Sequence, residues 1–356
     1  MTRHLATIQK ILDLQPIAGA DLIEVATING WRAVVKKGEY KVGDLVVYCE
    51  TDSFIPNDLA PFLSKGQEPR EYEGIKGERL RTVKLRGCLS QGLILPVHSD
   101  KTGTYLMIND DEHGEYSVTV AEGDDVSEVL GIVKYDPPVA AHLAGIVKGA
   151  WPSAIPHTDE ERIQNLTNEL PHLIQYGYEV TEKLEGSSMS VGLIDGEFFV
   201  GSRTVNLRET EGNTFWMLAR KYDIENKLRS KGFDNVIFQG EAIGEGIQGN
   251  HYGLKGQDFY VYAVFSLATG LFVSPDNRKE FCNSFGLKHV PTIGTFPLQA
   301  ISNGLGMDPI ENILKYADGK SVINPAKSRE GVVFKRIDGQ EHFKAVSNQY
   351  LISNDY

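Results

Sequence analysis

The sequence predicts an α+β protein, with a small closed β-barrel first and a larger domain of mixed strands and helices after it. Three observations carry this reading. Short apolar/polar strands broken by glycine turns fill the first hundred residues. A polar stretch punctuated by prolines follows, and beyond residue 178 strands recur with helical patterns between them. The chain has 356 residues, room for about two ordinary domains. Its 41% hydrophobic and 24% charged residues are the balance of a soluble globular protein.

The N-terminal strand signals come in order. Leu22 to Ile28 mixes apolar and polar positions, Asn29-Gly30 is a two-residue hairpin signal, and Trp31 to Val35 alternates again. Lys41-Val42-Gly43-Asp44 reads as a turn before the apolar run Leu45 to Tyr48. Arg79 to Arg86 alternates and reads as one strand, and Gly92 to Pro96 closes the series. An OB-like barrel is the economical reading, although periodicity alone does not separate it from another small barrel. Residues 100–130 are polar and acidic (Asn109, Asp110, Asp111, Glu112), and Pro137-Pro138, Trp151-Pro152 and Ile155-Pro156 punctuate a linker. The expected division is 1–135 for the barrel, 136–157 for the linker and 158–356 for the second domain. Thr158 to Glu161 reads as the N-cap and first turn of a helix containing Arg162, Ile163 and Leu166. Strands are expected at 178–183, 189–194, 198–201, 236–241, 259–265 and 331–335, and helices at about 213–231 and 276–285.

Composition excludes several classes. No apolar run approaches the ~20 residues that span a bilayer, and the N-terminus has no secretion signal. Cys49, Cys88 and Cys282 lie far apart with no C-x-x-C. That excludes a cysteine zinc cluster, argues against a disulfide scaffold and fits a reducing, cytoplasmic compartment. The net charge of −12 sits in one segment: residues 101–200 carry 5 basic and 18 acidic side chains, the rest of the chain 31 and 30. Local basic patches therefore remain possible. Lys76, Arg79, Arg81, Lys84 and Arg86 fall within eleven residues that contain one acid, Glu78. They read either as a face that tracks a nucleic-acid backbone or as an edge strand protected by charge.

Among motifs, there is no phosphate-binding P-loop. A G-x-G-x-x-G occurs at Gly244 to Gly249, but no amphipathic helix follows, so it reads as a glycine-rich loop beside a site rather than a dinucleotide fingerprint. The strongest signal is Glu182-Lys183-Leu184-Glu185-Gly186. Alone it is a solvated turn. Downstream stand Ser202-Arg203-Thr204, Gly240-Glu241 at the end of an apolar strand, Glu330-Gly331-Val332-Val333-Phe334-Lys335, and Phe343-Lys344.

In this order these motifs resemble the covalent nucleotidyltransferases, which comprise RNA ligases, DNA ligases and mRNA capping enzymes. The resemblance implies a nucleotidyltransferase domain (the ATP-grasp-like ligase fold) of antiparallel sheets with flanking helices. DNA ligases and capping enzymes carry their OB domain after the catalytic one, whereas only twelve residues follow Lys344 here. A leading OB-like domain is similar to the Naegleria/Deinococcus type of RNA ligase. Gly19-Ala20-Asp21, Gly30-Trp31, Lys41 to Asp44 and Ser90-Gln91-Gly92-Leu93 resemble that family's N-terminal module, and Thr158 to Asn165 its pre-catalytic segment.

The resemblance implies an ATP-dependent RNA ligase of RNA repair that joins 3′-OH and 5′-phosphate ends, at nicks, as a monomer with no membrane partner. Lys183 is the implied nucleophile, forming lysyl-AMP and then RNA-adenylate. Glu185 and Glu330 are implied for Mg²⁺ or Mn²⁺ and Glu241 for the ribose or the metal, as hard oxygen donors. Lys335 and Lys344 would meet the α-phosphate, Arg203 the ribose or the 5′-phosphate end, and Arg162 the β and γ phosphates. Glu182 would lie at the nucleotide and Phe259 on the adenine face, or else Phe259 is a core residue. Many relatives have K-x-K in the last motif where this chain has His342-Phe343-Lys344. Either His342 is a surface substitution or Lys335 covers the role. The alternatives are a DNA ligase or capping-type enzyme, and a nucleic-acid-binding protein without catalysis.

Overall fold

The computed structural model describes residues 4–101, 103–110, 114–136, 145–304 and 308–354. Pro137-Pro138, Asp111 and Glu112 lie outside them. The chain folds as two units, 1–138 with 351–356, and 139–350. Among the described residues no helix is long and apolar enough to cross a membrane.

The first unit is built mainly of strands. Asn29 and Gly30 both take positive φ (48° and 79°), the type I′ turn that joins Ile23–Ile28 to Trp31–Lys36. Leu45–Glu50 pairs with both Ala6–Lys10 and Gly92–Pro96. It is buried on both faces: Val47 and Cys49 enter one apolar cluster with Ile8 and Ile55, Val46 and Tyr48 another with Trp31 and Ile94. That is why the run is apolar without alternation. The stretch 79–86, expected as one strand, is two. Leu80 turns into the core, donating its N–H to the Ser53 carbonyl and accepting from Asp52 N–H (both 2.8 Å), which ends Ile75–Arg79. Val83–Leu85 then pairs with Cys88–Ser90 across Arg86 and Gly87, both at positive φ. The acidic stretch after residue 100 also differs from expectation. Gly103–Asp110 pairs with Gly114–Thr119, and Leu106 and Ile108 enter the first cluster.

The second unit holds two sheets. Its principal strands are β1 (Glu161–Arg162), β2 (Gly177–Lys183), β3 (Ser187–Ile194), β4 (Val236–Gly244), β5 (Gln257–Ser266), β6 (Gly331–Arg336) and β7 (His342–Val346). The five-stranded sheet runs β1-β7-β6-β2 and ends on Thr292–Pro297, antiparallel except for β1 beside β7. The larger sheet is built on the antiparallel run β3-β4-β5. The expected helix at 158–166 is instead β1 followed by a single 3-10 turn, Ile163–Asn165. Ladder pairing with β7 and burial of Ile163 outweigh the N-cap signal of Thr158. The expected helix at 213–231 is two, α1 (Thr214–Lys221) and α2 (Ile224–Ser230), broken where Asp223 takes φ 51°. Asn213 caps α1, accepting from Phe215 N–H at 3.0 Å. α3 (Pro275–Phe285) and α4 (Pro309–Ala317) complete the helices used below.

Alternation in the strands sorts their residues into two layers. In the five-stranded sheet Tyr178, Val180, Val332, Phe334, Phe343 and Ala345 pack with Ile310, Ile313 and Leu314 of α4. In the larger sheet Met189, Val191, Phe238, Phe259 and Val261 pack with side chains of α1, α2 and α3. Each sheet thus has one apolar face closed by helices; the other face of the five-stranded sheet carries polar groups, whereas on the larger sheet Gln239 and Glu241 stand between apolar clusters that include Ile237 and Ile243. Phe334 stacks on Phe343 (centroids 4.7 Å, planes 14° apart) beneath the polar face. Phe334→Ala removes a fully buried ring, and urea unfolding should register a loss of about 3–5 kcal/mol.

Candidate active site

The polar face of the five-stranded sheet gathers basic groups. Thr181 and Lys183 on β2, Val333 and Lys335 on β6, and His342 and Lys344 on β7 share it, being out of phase with the apolar set. Lys183 ends β2 opposite Gly331. A Cβ on Gly331 would lie 2.3 Å from the Ala345 carbonyl oxygen, and one on Gly186 2.4 Å from that of Ala242. Both motif glycines are therefore required by close backbone approach.

Lys183 Nζ donates to Glu330 Oε1 at 2.5 Å, while Glu330 Oε2 is buried without a hydrogen-bond partner. Burial pulls the Lys183 pKa down, but Glu330, by charge and hydrogen bond, and Glu241 and Glu160 by charge, outweigh it. The net shift is upward, so the ammonium form is favoured. Glu241, on β4, pairs in register with Ser188 and Tyr260. Burial pushes its carboxyl up to about 8, against the pull of Lys183 and with the push of Glu330 and Glu160. The centre is acid-rich. Among the described residues, however, no three carboxylate, imidazole or thiol groups form a ready-made metal cluster.

Glu185 points to a different neighbour, its Oε2 3.4 Å from His251 Nδ1, and its N–H donates to the Tyr252 hydroxyl at 2.7 Å. Lys344 lies opposite Val333 and beside Arg162 of β1. Burial, then Arg162 and Lys183, lower its pKa to about 8. Lys335 lies farther along the face, opposite His342 and Glu179. Its ammonium donates to the Tyr262 carbonyl at 2.7 Å, and burial with Arg278 lowers its pKa to about 7. His342 is half-buried, edge-on to Phe272, so it is not a surface substitution. Arg203 is exposed and pairs with Asp159 at 2.9 Å.

Two expected nucleotide contacts are corrected. Phe259 is fully buried in the apolar core against the helices, and the aromatic rings on the polar side of β5 are Tyr260 and Tyr262, beside Leu184. A shift of one residue along a strand exchanges faces, and the aromatic-rich string Phe259-Tyr260-Val261-Tyr262 does not reveal which phase is core. Glu182 faces the opposite side of β2 from Lys183 and accepts from Val322 N–H at 2.7 Å, so its carboxylate belongs to the packing of the sheet. Glu160 is a further member of the site that no sequence motif marks. Thr158 bonds the Tyr262 hydroxyl (2.9 Å) and Arg162 pairs with Lys344, so residues 158–162 run from one sheet to the other. Glu160 between them feels the fields of Lys183, Lys335 and Lys344. Its only signal in the sequence is an acidic run that reads as a helix first turn.

The expected basic strand of the first unit is dispersed. Lys76 pairs with Glu68 (3.3 Å). Arg79 pairs with Asp52 and lies 5.0 Å over the Tyr135 ring. Lys84 donates to the Ile352 carbonyl at 2.8 Å. Arg81 and Arg86 are exposed on the connection and on the hairpin tip, next to Val83 and Leu85, themselves 44% and 42% exposed.

A leading barrel and a second unit whose strand-end lysine faces carboxylates across two sheets define a nucleic-acid ligase with its OB fold in front. The comparisons with known proteins agree. Residues 5–97 match an OB-fold domain and residues 177–346 match RNA ligase. No curated protein matches the chain. Among solved structures, a Naegleria gruberi RNA ligase variant with AMP and Mn is 41% identical, covering 99% of each chain at a TM-score of 0.78. A second variant of that ligase, with ATP and Mn, is 41% identical over 98% of this chain and 99% of that one, TM-score 0.78. The same ligase with PPi is 41% identical over 99% of each chain, TM-score 0.77. The chain belongs to the RNA ligase family.

The ion pair makes a measurable statement about Lys183. In Glu330→Gln the burial stays and the strongest opposing charge goes, so the lysine pKa must fall. Carbon-13 NMR of reductively methylated protein, with the resonance assigned by Lys183→Arg, should find it titrating at lower pH than in the wild type.

Proposed function

We propose that this RNA ligase consumes ATP and seals a 3′-OH to a 5′-phosphate at nicks in duplex RNA through a covalent Lys183–AMP. The observation that carries the reading is Lys183 at the end of β2, paired with Glu330 and within the field of Glu241. The similar Naegleria ligase structures hold ATP, AMP or PPi, and ATP and AMP there accompany Mn. Those are the substrate, the transferred group and the leaving group of lysine adenylation.

The residues fit a divalent cation. Glu330 keeps a buried oxygen without a partner, and Glu241 is driven toward its neutral form by burial and surrounding acids. Glu330 and Glu241 are the oxygen donors that would hold Mg²⁺ or Mn²⁺, and Glu185, which points to His251, would join them as the third acid that the family resemblance implies. Bound there, the ion supplies charge neutralisation at the α-phosphate and draws off the negative charge that keeps Lys183 protonated. The remaining work falls to the chain. With Glu330 engaged by the ion, the Lys183 ammonium would give up its proton to solvent, and its neutral Nζ would then attack the α-phosphorus of ATP as the bond to pyrophosphate breaks. Lys344, on the same face, neutralises phosphate oxygens, with Arg162 beside it for the outer phosphates. Tyr260 or Tyr262 takes the adenine contact expected of Phe259. The adenylate passes to the RNA 5′-phosphate, freeing Lys183, and the 3′-hydroxyl displaces AMP.

Incubation with α-labelled ATP and Mn²⁺, followed by denaturing electrophoresis, should label the wild type but not Lys183→Ala, and γ-labelled ATP should label neither. An unlabelled, folded wild type would refute the reading in favour of a binding protein. Supplied with nicked duplex RNA, the labelled enzyme should release AMP and yield the sealed strand; transfer to single strands alone would overturn the nick assignment.

Exposed cations on the barrel hairpin suit phosphate contacts. Arg81→Ala and Arg86→Ala should each weaken nicked-RNA binding and reduce the slope of log K against log salt by about 1. Fluorescence anisotropy over a salt series reads both.

A further inference from the structure

The glycine-rich stretch 244–249 finds no phosphate role in the reaction just described, yet its backbone is specialised. Gly244, Gly246 and Gly249 take φ of 121°, 76° and 67°, and Gln248 and Asn250 are also left-handed, at 42° and 50°. A Cβ on Gly244 would lie 2.2 Å from the Gly256 carbonyl oxygen. Asn250 closes the loop with two bonds to Leu254, its Nδ2 donating to the carbonyl (2.9 Å) and its Oδ1 accepting the N–H (3.0 Å). A loop this constrained delivers the next two residues to fixed positions.

Those residues are His251 and Tyr252. The Tyr252 hydroxyl, 3% exposed as a residue, accepts the N–H of Glu185 at 2.7 Å. His251 Nε2 lies 2.8 Å from the Ser328 carbonyl, which only accepts, so Nε2 carries the proton. Its Nδ1 edge lies 3.4 Å from Glu185 Oε2, and its ring stands edge-on to Tyr252 and Tyr350. Asn324 Nδ2 holds the Tyr252 carbonyl from the other side at 3.0 Å. The two side chains thus grip the turn after Lys183 and the segment two residues before Glu330. These segments belong to parts of the chain far apart in sequence, and the Lys183–Glu330 pair joins their charged groups.

We infer that His251 and Tyr252 are positioning residues that set the spacing of Glu185 and Glu330 about Lys183, and that the glycine loop exists to present them. The inference rests on the reading of Glu185 and Glu330 as cation-binding acids. It concerns how the acids are held, since neither His251 nor Tyr252 needs to touch substrate.

The test compares wild type, His251→Ala, His251→Gln and Tyr252→Phe. One readout uses no ATP and no turnover: the rise in melting temperature as Mn²⁺ is added. The other is the single-turnover rate of Lys183 labelling from α-labelled ATP against Mn²⁺ and ATP concentration. His251→Ala and Tyr252→Phe should shrink the Mn²⁺-induced rise and raise the Mn²⁺ needed for half-maximal labelling about 10- to 100-fold, the loss typical for an outer partner of a metal ligand. The half-saturating ATP concentration should stay within about threefold, because the contacts of His251 and Tyr252 run to the segments of Glu185 and Ser328 and not to Lys344 or Arg162, the residues proposed for the phosphates. His251→Gln keeps a donor for the Ser328 carbonyl and should recover most of the loss. A wild-type response to Mn²⁺ in folded His251→Ala and Tyr252→Phe overturns the inference, as does a His251→Gln protein no better than His251→Ala. A loss confined to ATP saturation would reassign the loop to nucleotide binding. Failure of wild type to label overturns the covalent reading instead, while the Mn²⁺ melting series still decides the positioning role.

Discussion

The ion pair between Lys183 and Glu330 governs the electrostatics of the whole site. It joins the end of one strand to the residue before its hydrogen-bonded neighbour, so the pairing of β2 with β6 sets its geometry. Burial favours the neutral amine at Lys183, and the surrounding carboxylates outweigh it in favour of the ammonium. The second effect wins because one lysine faces more than one acid. The resting centre is therefore chemically quiet, and its reactivity hangs on whatever takes up the charge of Glu330. Breaking this partly buried pair from one side leaves a charge without its partner. An entering cation avoids that loss by replacing one partner with another.

Strand alternation lets a single sheet carry both a stable core and this charged surface. The face bearing Val180, Phe334 and Phe343 is closed by helix α4, while the face one residue out of phase bears Lys183, Lys335 and Lys344. The lysines differ in environment as well as position. Lys344, next to Arg162, is held near the neutral range by burial and like charge; Lys335 spends a donor on the Tyr262 carbonyl. In the proposed reaction it is Lys344, beside Arg162, that meets phosphate, while Lys335 helps tie the five-stranded sheet to β5.

Connections complete the site. Residues 158–162 cross between the sheets, carrying Glu160 among the lysines, and the loop after Gly244 brings His251 and Tyr252 to the segments of Glu185 and Glu330. In the first unit the same logic disperses charge. Asp52 claims Arg79 and Glu68 claims Lys76, leaving Arg81 and Arg86 exposed near the hairpin.

The barrel-first order, most strands, and the set Lys183, Glu241, Glu330 and Lys344 are legible in the amino-acid string, because they depend on local alternation, turn chemistry and spaced short motifs. The Asn29-Gly30 hairpin and the doubly buried Leu45 strand are local in this sense. Other features emerge only when distant segments pack. Whether Phe259 or its neighbours face the site depends on which side of β5 the helices cover. Whether 158–166 is helix or strand depends on a ladder with residues 343–344, nearly two hundred positions away. Whether a glycine motif binds phosphate or presents His251 depends on what packs after it. Each of these outcomes rests on a long-range contact, and no periodicity within a segment encodes which distant segment it will meet.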